Sequence, residues 1–438
     1  MNNKELATLI FEAAVRNVDP ENLILETVSL KNDILSFPGL EFNLRETDKI
    51  FIIGAGKASA SMASGMERIL GNRISEGHIV VKYGHSRDLR YVSITEAGHP
   101  VPDHNGFLAT GRILGIADKA GPDDLVICLI SGGGSALFAD YPEGSGEDDV
   151  IILNDLLVKC GADIAGINSV RKHLSRIKGG QLARSVHPAA LVNLMLSDVP
   201  GDEPDIIASG PACPDRSTFH DALYVVRSYG LEKKLPANLL NYLERGKTGM
   251  IPETPKPGDH IFQRCYNIIA GNNMKALEGA LKKAESIGFK TIIADSKLSG
   301  PVQEAARYII DTSKGYRDDI NLVKPACILF GGETTITVTG KGKGGRNQHL
   351  ALLCAEMISG ERGITILAAG TDGTDGPTNA AGAVVDTATA REAAERGIDP
   401  DNYLASHDSY NFFREAGGLV ITGPTGTNVM DVVVVVLE

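Results

Sequence analysis

Short apolar runs alternate with helix-length periodic segments along most of the chain. Runs at 50–53, 78–81, 125–130, 191–196, 267–270, 291–294, 326–330, 365–369, 419–422 and 432–437 predict strands. Between many of them, segments at 59–70, 106–120, 272–287 and 301–312 repeat apolar residues at helical spacing. Strand, helix, strand at this interval requires crossover connections and mostly parallel sheets. The stretch 335–339 alternates polar and apolar residues after Gly331 and Gly332, which predicts a half-exposed, antiparallel strand. The valine run 432–436 has no polar face and predicts a central strand. Residues 1–17 predict an amphipathic helix.

Composition narrows the class. A chain of 438 residues with 43% hydrophobic and 22% charged residues can bury sizeable cores in two or three domains. A segment at 247–261 holds Pro252, Pro255 and Pro257 without periodicity and reads as a linker. The predicted domains are then 1–246 and 262–438. The net charge of −12 argues against nucleic acid or an anionic membrane as partner. Six dispersed cysteines form no C-x-x-C pair, and Cys128 and Cys327 lie in strand-like runs, so they read as buried thiols of a reducing compartment. With no signal-peptide layout and no stretch of about 18 apolar residues, the cytoplasm is the default reading. A homo-oligomer is compatible with the sequence.

Candidate chemistry gathers in glycine-rich segments where predicted strands end, the edge at which open parallel sheets hold ligands. The first is Gly54-Ala55-Gly56-Lys57, which leads into a helix; glycines permit close approach, the helix start favours an anion and Lys57 adds a charge. The bland reading is a tight turn with a solvated lysine. The second is Ser131-Gly132-Gly133-Gly134-Ser135, where successive N–H groups between hydroxyls suit phosphate or carboxylate. The third spans Asn168 to Gly210. No Asp or Glu occurs from 164 to 197, yet Arg171, Lys172, Arg176, Lys178 and Arg184 do. This is either an anion site or a solvated helix face. Asp198 and Asp202 follow; they suit Mg²⁺, or else cap a turn. The fourth is C-terminal: the glycine-rich basic run 340–346 with Arg346 and Asn347 entering a helix, and Asp372 and Asp375 in a turn that binds metal or orders itself. Arg346 among these glycines suggests a mobile clamp.

Absent motifs exclude other chemistries. There is no Walker loop, since Gly345-Arg346 stands where Gly-Lys-[ST] is required, and no H-R-D, H-E-x-x-H or G-x-S-x-G sequence. A dinucleotide fingerprint is poor, because Ser59 replaces the third glycine. The residues alone therefore imply an α/β enzyme for a phosphate-rich substrate.

Taken together, these segments resemble the class II glycerate kinase family, built from DUF4147 and MOFRL domains. The stretches that carry the resemblance are GAGKA (54–58), GHPVPD (98–103), LISGGGSAL (129–137), INSVRKHLSRIKGGQLA (167–183), LSDVPGD (196–202), ASGPACPD (208–215), GGETTITVTGKGKGGRNQ (331–348, including Glu333), AAGTDGTDGPTNAAGA (368–383), HDSYNFF (407–413) and TGPTGTNVMD (422–431). They run in family order over nearly the whole chain. The resemblance implies two α/β domains: an N-terminal Rossmann-like three-layer sandwich with a mostly parallel sheet, and a smaller mixed-sheet MOFRL domain. It also implies ATP-dependent phosphorylation of D-glycerate to 2-phosphoglycerate with Mg²⁺, in a cleft between the domains, with Lys57 and Arg346 as catalytic residues. On that expectation Gly54, Gly56, Lys178 and residues 131–135 hold phosphates. Asn168, with Arg171 or Lys172, holds glycerate. Asp198 or Asp202 carries the metal or orients the hydroxyl. Two alternatives stay open: an NAD(P)-dependent hydroxypyruvate reductase and a non-catalytic sugar-acid-binding protein.

Overall fold

A computed structural model describes residues 1–438 and shows two compact units. The N-terminal unit comprises Pro20–Ser197 and Asp202–Ala270; the C-terminal unit comprises Met1–Asp19, Asp198–Gly201 and Gly271–Glu438.

The sheet of the N-terminal unit has six strands: β1 (Ile50–Ala55), β2 (Ile74–Lys82), β3 (Ser93–Ala97), β4 (Leu125–Ile130), β5 (Ala190–Leu196) and β6 (Cys265–Gly271). Every residue of β1, β4 and β5 is buried, which is why these strands are apolar throughout. The spatial order is β3-β2-β1-β4-β5-β6, and the ladders among β1 to β5 are all parallel. This is the doubly wound order, which reverses direction between β1 and β4 and opens a crevice at their C-terminal ends. The predicted helix at 59–70 is Ser59–Leu70. The strand β3 and a small antiparallel meander (Ser29–Lys31, Ile34–Phe37 and Leu40–Asn43) were not anticipated.

The C-terminal unit is built on a mixed sheet of β7 (Lys290–Leu298), β8 (Ala326–Gly332), β9 (Ile364–Gly370), β10 (Gly382–Asp386), β11 (Leu419–Val420) and β12 (Asp431–Leu437). Its order is β7-β8-β12-β9-β10-β11. Only β7 and β8 pair in parallel; the other ladders are antiparallel. The valine run is indeed central, flanked by β8 and β9. The segment 335–339 is no strand: Thr335 makes a single parallel bridge to Pro301 and the chain then leaves the sheet. Both sides of β8 are already paired, so no edge is left there for an added strand.

Two boundaries differ from the sequence reading. Residues 247–261 belong to the N-terminal unit and are tied to it: Thr254 donates to Asp215 at 3.0 Å and Glu253 accepts from the Phe219 N–H at 2.8 Å. Prolines there stiffen an extended stretch that packs; they do not mark a free linker. Residues 1–19 leave their sequence neighbours for the C-terminal unit. Helix Asn3–Asn17 buries Ala7, Ile10, Phe11 and Ala14 and packs on helix Asn273–Ser286. A Cβ on Gly279 would lie 2.3 Å from the Asn17 Cβ, so the two helices meet where one lacks a side chain. All six cysteines are free thiols. No helix is long and apolar enough to cross a membrane.

Because Phe11 is fully buried in the C-terminal unit, Phe11→Ala is expected to lower stability by about 3–5 kcal/mol. Hydrogen exchange should quicken in β8, β9 and β12 and stay unchanged in β1, β4 and β5. Faster exchange confined to the N-terminal sheet would contradict the assignment of residues 1–19.

Candidate active site

At the switch point of the N-terminal unit the two glycine turns pack backbone to backbone. A Cβ on Gly54 would stand 2.2 Å from the Leu129 carbonyl oxygen, and one on Gly56, at φ +145°, would stand 2.1 Å from Ser131 Oγ. The approach lets the turns bond each other. Gly56 N–H donates to Val80 O (3.1 Å), Lys57 N–H to Gly132 O (2.9 Å) and Ala58 N–H to Ser131 Oγ (2.9 Å). The N–H groups of residues 56–58 are therefore spent on protein acceptors. Gly54, Gly56 and Ser131 build the turn.

The open donors lie in the next turn. Gly134 N–H bonds Ser131 O at 3.1 Å, while the N–H groups of Gly132, Gly133 and Ser135 are not used by the fold's own hydrogen bonds. Gly133 has φ +83°, and a Cβ there would meet His99 Nε2 at 2.8 Å. His99 was not singled out from sequence, although it lies in the GHPVPD stretch. Burial, and then the charges of Lys57, Lys82 and His85, push its pKa down to about 4. The imidazole is thus neutral at pH 7 beside a cluster of cations. His85 Nδ1 lies 3.0 Å from Lys57 O.

A second chain of contacts runs from this turn. Ser135 Oγ and Ser209 Oγ are 2.9 Å apart, and Ser209 donates to Asn168 Oδ1 at 3.1 Å. Ala208, Ser209 and Gly210 all take positive φ (50°, 61° and 62°). The two non-glycine residues there hold strain of about 1–2 kcal/mol each.

The basic run between 171 and 178 is divided: Arg176 is exposed, and the two lysines are buried. Lys172 is buried and pairs with buried Asp215 at 3.5 Å. Lys178 is buried against the Phe138 carbonyl and Asp140, the latter at 3.4 Å. Burial lowers the Lys178 pKa, and Asp140 opposes that shift. Both lysines are committed to protein carboxylates, so the phosphate role read for Lys178 and the substrate role read for Lys172 lose their free charge. Arg171 differs: its Nε donates only to the amide oxygen of Asn154, at 3.0 Å.

In the C-terminal unit, Arg346 opens helix Arg346–Met357. Its guanidinium forks onto Asp431 (Nε–Oδ2 2.6 Å, NH2–Oδ1 2.9 Å) and its NH1 reaches Glu333 Oε1 at 2.7 Å. Burial works against the charged arginine, but the Asp431 bonds and the charges of Asp431, Glu333 and Asp375 outweigh it and raise its pKa. Burial raises the Glu333 pKa; Arg346 opposes this, and Asp431, Asp198 and Asp372 add to it. Asp431 itself was missed as a site residue, since nothing local marks the first residue of a valine strand.

The glycines before Arg346 do not confer mobility. A Cβ at Gly340 would lie 2.0 Å from Ser406 O, at Gly342 2.4 Å from the Asp408 Cβ, at Gly344 2.3 Å from Ser409 Oγ and at Gly345 2.3 Å from the Asp375 carboxyl. The loop is pressed against 406–409 and 375, so the mobile-clamp reading is replaced by a fixed one. Asp375 is the helix cap, accepting from Asn347 N–H (3.1 Å) and Gln348 N–H (2.8 Å). Asp372 accepts from Thr374 N–H and Oγ1 and orders its turn. Asn347 is buried and its Oδ1 has no hydrogen-bond partner. Asp198 groups with the C-terminal unit and Asp202, at φ +57°, with the N-terminal unit. No three His, Cys, Asp or Glu side chains converge as a ready-made metal cage.

Comparison with known proteins gives the geometry a context. Residues 6–244 match a domain family of unknown function, DUF4147, and residues 326–431 match the MOFRL family. The chain is 42% identical over 433 residues to a D-glycerate 2-kinase of Thermotoga maritima, covering 98% of this chain and 97% of that one. A protein of Agrobacterium vitis named as a putative hydroxypyruvate reductase is 38% identical, with 98% and 93% covered. A crystal structure of a Thermotoga maritima glycerate kinase superposes with a TM-score of 0.87 at 41% identity, covering 99% of both chains.

Two outcomes test this geometry. Gly345→Ala should drive a methyl group into the Asp375 cap and lower stability by about 1–3 kcal/mol in urea unfolding; a mobile loop would lose almost nothing. The Asp375 carboxyl, raised by burial from 3.8 to about 6, binds its proton more tightly in the folded state. Between about pH 4 and pH 6 the folded form therefore holds the extra proton, and the stability linked to Asp375 falls as pH rises. Subtracting the unfolding free energy of Asp375→Asn from that of the parent should reveal this downward slope, and a flat difference would contradict it.

Proposed function

The chain belongs to the glycerate 2-kinase family, and on that premise we propose that it transfers the γ-phosphoryl group of ATP to the 2-hydroxyl of D-glycerate. The observation that carries the reading is the match along both units, 98% of the chain, to a D-glycerate 2-kinase. The site supports it. A hydroxypyruvate reductase would need the first glycine turn open to a dinucleotide pyrophosphate. Here Leu129 O and Ser131 Oγ fill the space beside Gly54 and Gly56. The next turn instead offers free N–H donors near Lys57, as a phosphate requires.

In the proposed reaction the 2-hydroxyl oxygen forms a bond to the γ-phosphorus, the bond to the β,γ-bridging oxygen breaks with its electron pair leaving on ADP, and the hydroxyl proton is released. The transition state is loose and spreads charge over the equatorial oxygens, so positioning and preorganised charge dominate. Lys57 meets that charge. The N–H groups of Gly132, Gly133 and Ser135 orient the phosphate. Arg346 supplies a second cation held in one orientation by Asp431 and Glu333. Mg²⁺, when bound, would neutralise phosphate charge. The donor set around Arg346 suits it, because Glu333, Asp198, Asp372 and Asp431 are hard oxygen ligands whose summed charge one arginine does not offset. Asp198 and Asp372 would hold the ion, with Asp202, four residues on from Asp198, the further candidate read from the sequence.

Lys57→Ala is expected to lower kcat by about two orders of magnitude, and so is Arg346→Lys, which cannot fork onto Asp431. If both cations serve one step, the double variant should be little slower than either single one. The product of the parent enzyme, read by ³¹P NMR, should be 2-phosphoglycerate formed with ATP. Turnover only with NAD(P) would reject the kinase reading, and a multiplicative loss in the double variant would reject a shared step.

A further inference from the structure

The strand that carries Asp431 starts from a strained residue. Met430, 3% exposed, takes φ +70°, a conformation uncommon for any residue but glycine. Such strain persists only where the surroundings hold it, and it gathers at sites that need one fixed geometry. Two side chains hold it here. Thr371, just past the end of β9, donates its N–H (3.0 Å) and its hydroxyl (2.6 Å) to Met430 O, and the same hydroxyl accepts from Val429 N–H at 2.9 Å. Asn273, the first residue of helix Asn273–Ser286, is buried and donates from Nδ2 to Val429 O at 2.8 Å and to Asp431 O at 2.9 Å. One amide therefore grips the chain on both sides of Met430. Turned over, it would set its oxygen against two carbonyls, so a single orientation is selected.

The other end of the amide lies on β8. A Cβ on Gly331 would stand 1.7 Å from Asn273 Oδ1, so the approach needs glycine there. Gly331 and Gly332 lead directly into Glu333, and Gly332 pairs with Asp431 in the ladder. Oδ1 accepts no hydrogen bond. Burying an amide with its acceptor unused is unfavourable, and the two bonds made by Nδ2 are what offsets it. Asn273 thus touches both segments whose carboxylates hold the Arg346 guanidinium, Asp431 by its fork and Glu333 at 2.7 Å.

We infer that Asn273 is a positioning residue for Arg346: its amide fixes the start of β12 against the end of β8, and so places the two carboxylates that orient the guanidinium. The inference rests on the kinase reading for the role of Arg346. Asn273 acts through Asp431 and Glu333, and the position demands an amide. Both partners are carbonyl oxygens, so the side chain must donate twice. An aspartate of the same shape would set a carboxylate against them.

The test uses the full-length protein labelled with ¹⁵N. The Nε–H of Arg346, bonded to Asp431 at 2.6 Å, should give a resonance set apart from those of solvent-exposed arginines. Arg346→Lys deletes it and so assigns it. In Asn273→Asp, shown folded by circular dichroism, that resonance should move toward the exposed position, while the Arg171 Nε–H, bonded to Asn154, stays in place. The kcat should fall about 10- to 100-fold, as for a displaced charge, with the KM values for glycerate and ATP within about threefold. Phe11→Ala, which loosens the same unit without touching Asn273 or Arg346, should leave the resonance position and kcat near those of the parent. Added to Arg346→Lys, which has already lost the fork, Asn273→Asp should slow turnover by less than about twofold more. An unmoved Arg346 resonance in folded Asn273→Asp overturns the inference, and so does a loss of kcat that multiplies with that of Arg346→Lys. Should Asn273→Asp not fold, Asn273→Ala removes both donors without adding a charge: a moved resonance supports the inference and an unmoved one overturns it. If the parent forms no phosphoglycerate from ATP, the kinase reading falls, and the resonance still decides whether Asn273 places Arg346.

Discussion

The N-terminal unit depends on one close approach, that of the turns after β1 and β4. Parallel neighbours end side by side, and the chain must leave both at once. Here the exits interlock: backbone donors of 56–58 bond acceptors on β2 and on the neighbouring turn. Neither turn could come so near with a Cβ at 54 or 56. The interlock uses up the donors of the first turn and leaves those of the second free. It also holds Lys57 at the edge of the second segment, through the bond from its N–H to Gly132 O.

The same logic governs the C-terminal unit. Glycine clusters are easily taken for flexible hinges, yet from 340 to 345 they are places where two backbones touch. Fixing the loop fixes the start of helix Arg346–Met357, and Asp375 caps it. The fork of Arg346 on Asp431 then joins that helix to the central strand of the sheet. Arg346 is pre-oriented, so little side-chain entropy remains to be lost when a negative charge arrives.

Buried charge separates the structural from the functional. Lys172 and Lys178 have carboxylate partners and hold the helices of their unit in place. Arg171 has none and donates to the neutral Asn154 amide oxygen. His99 is kept neutral by burial and by the surrounding cations.

The sequence by itself determined the local elements: helix Ser59–Leu70, the strands flanking the glycine turns and the central valine strand all follow from periodicity and turn chemistry within a few residues. It also marked Lys57 and Arg346, because a lone cation among glycines at a strand end is a local signal. The tertiary structure alone decided the partners. Asp431 lies 85 residues from Arg346 and Asp215 lies 43 from Lys172, and no period or motif relates such positions. For the same reason the N-terminal helix could not be assigned to its unit: its apolar face shows that it packs, and only the complementary surface at Gly279 shows against what. Segment 335–339 alternates like a strand, but β8, from which it departs, is already paired on both sides. Glycine is the sharpest case. The residue announces that something comes close, and only the folded chain says whether that is a ligand or another part of the protein.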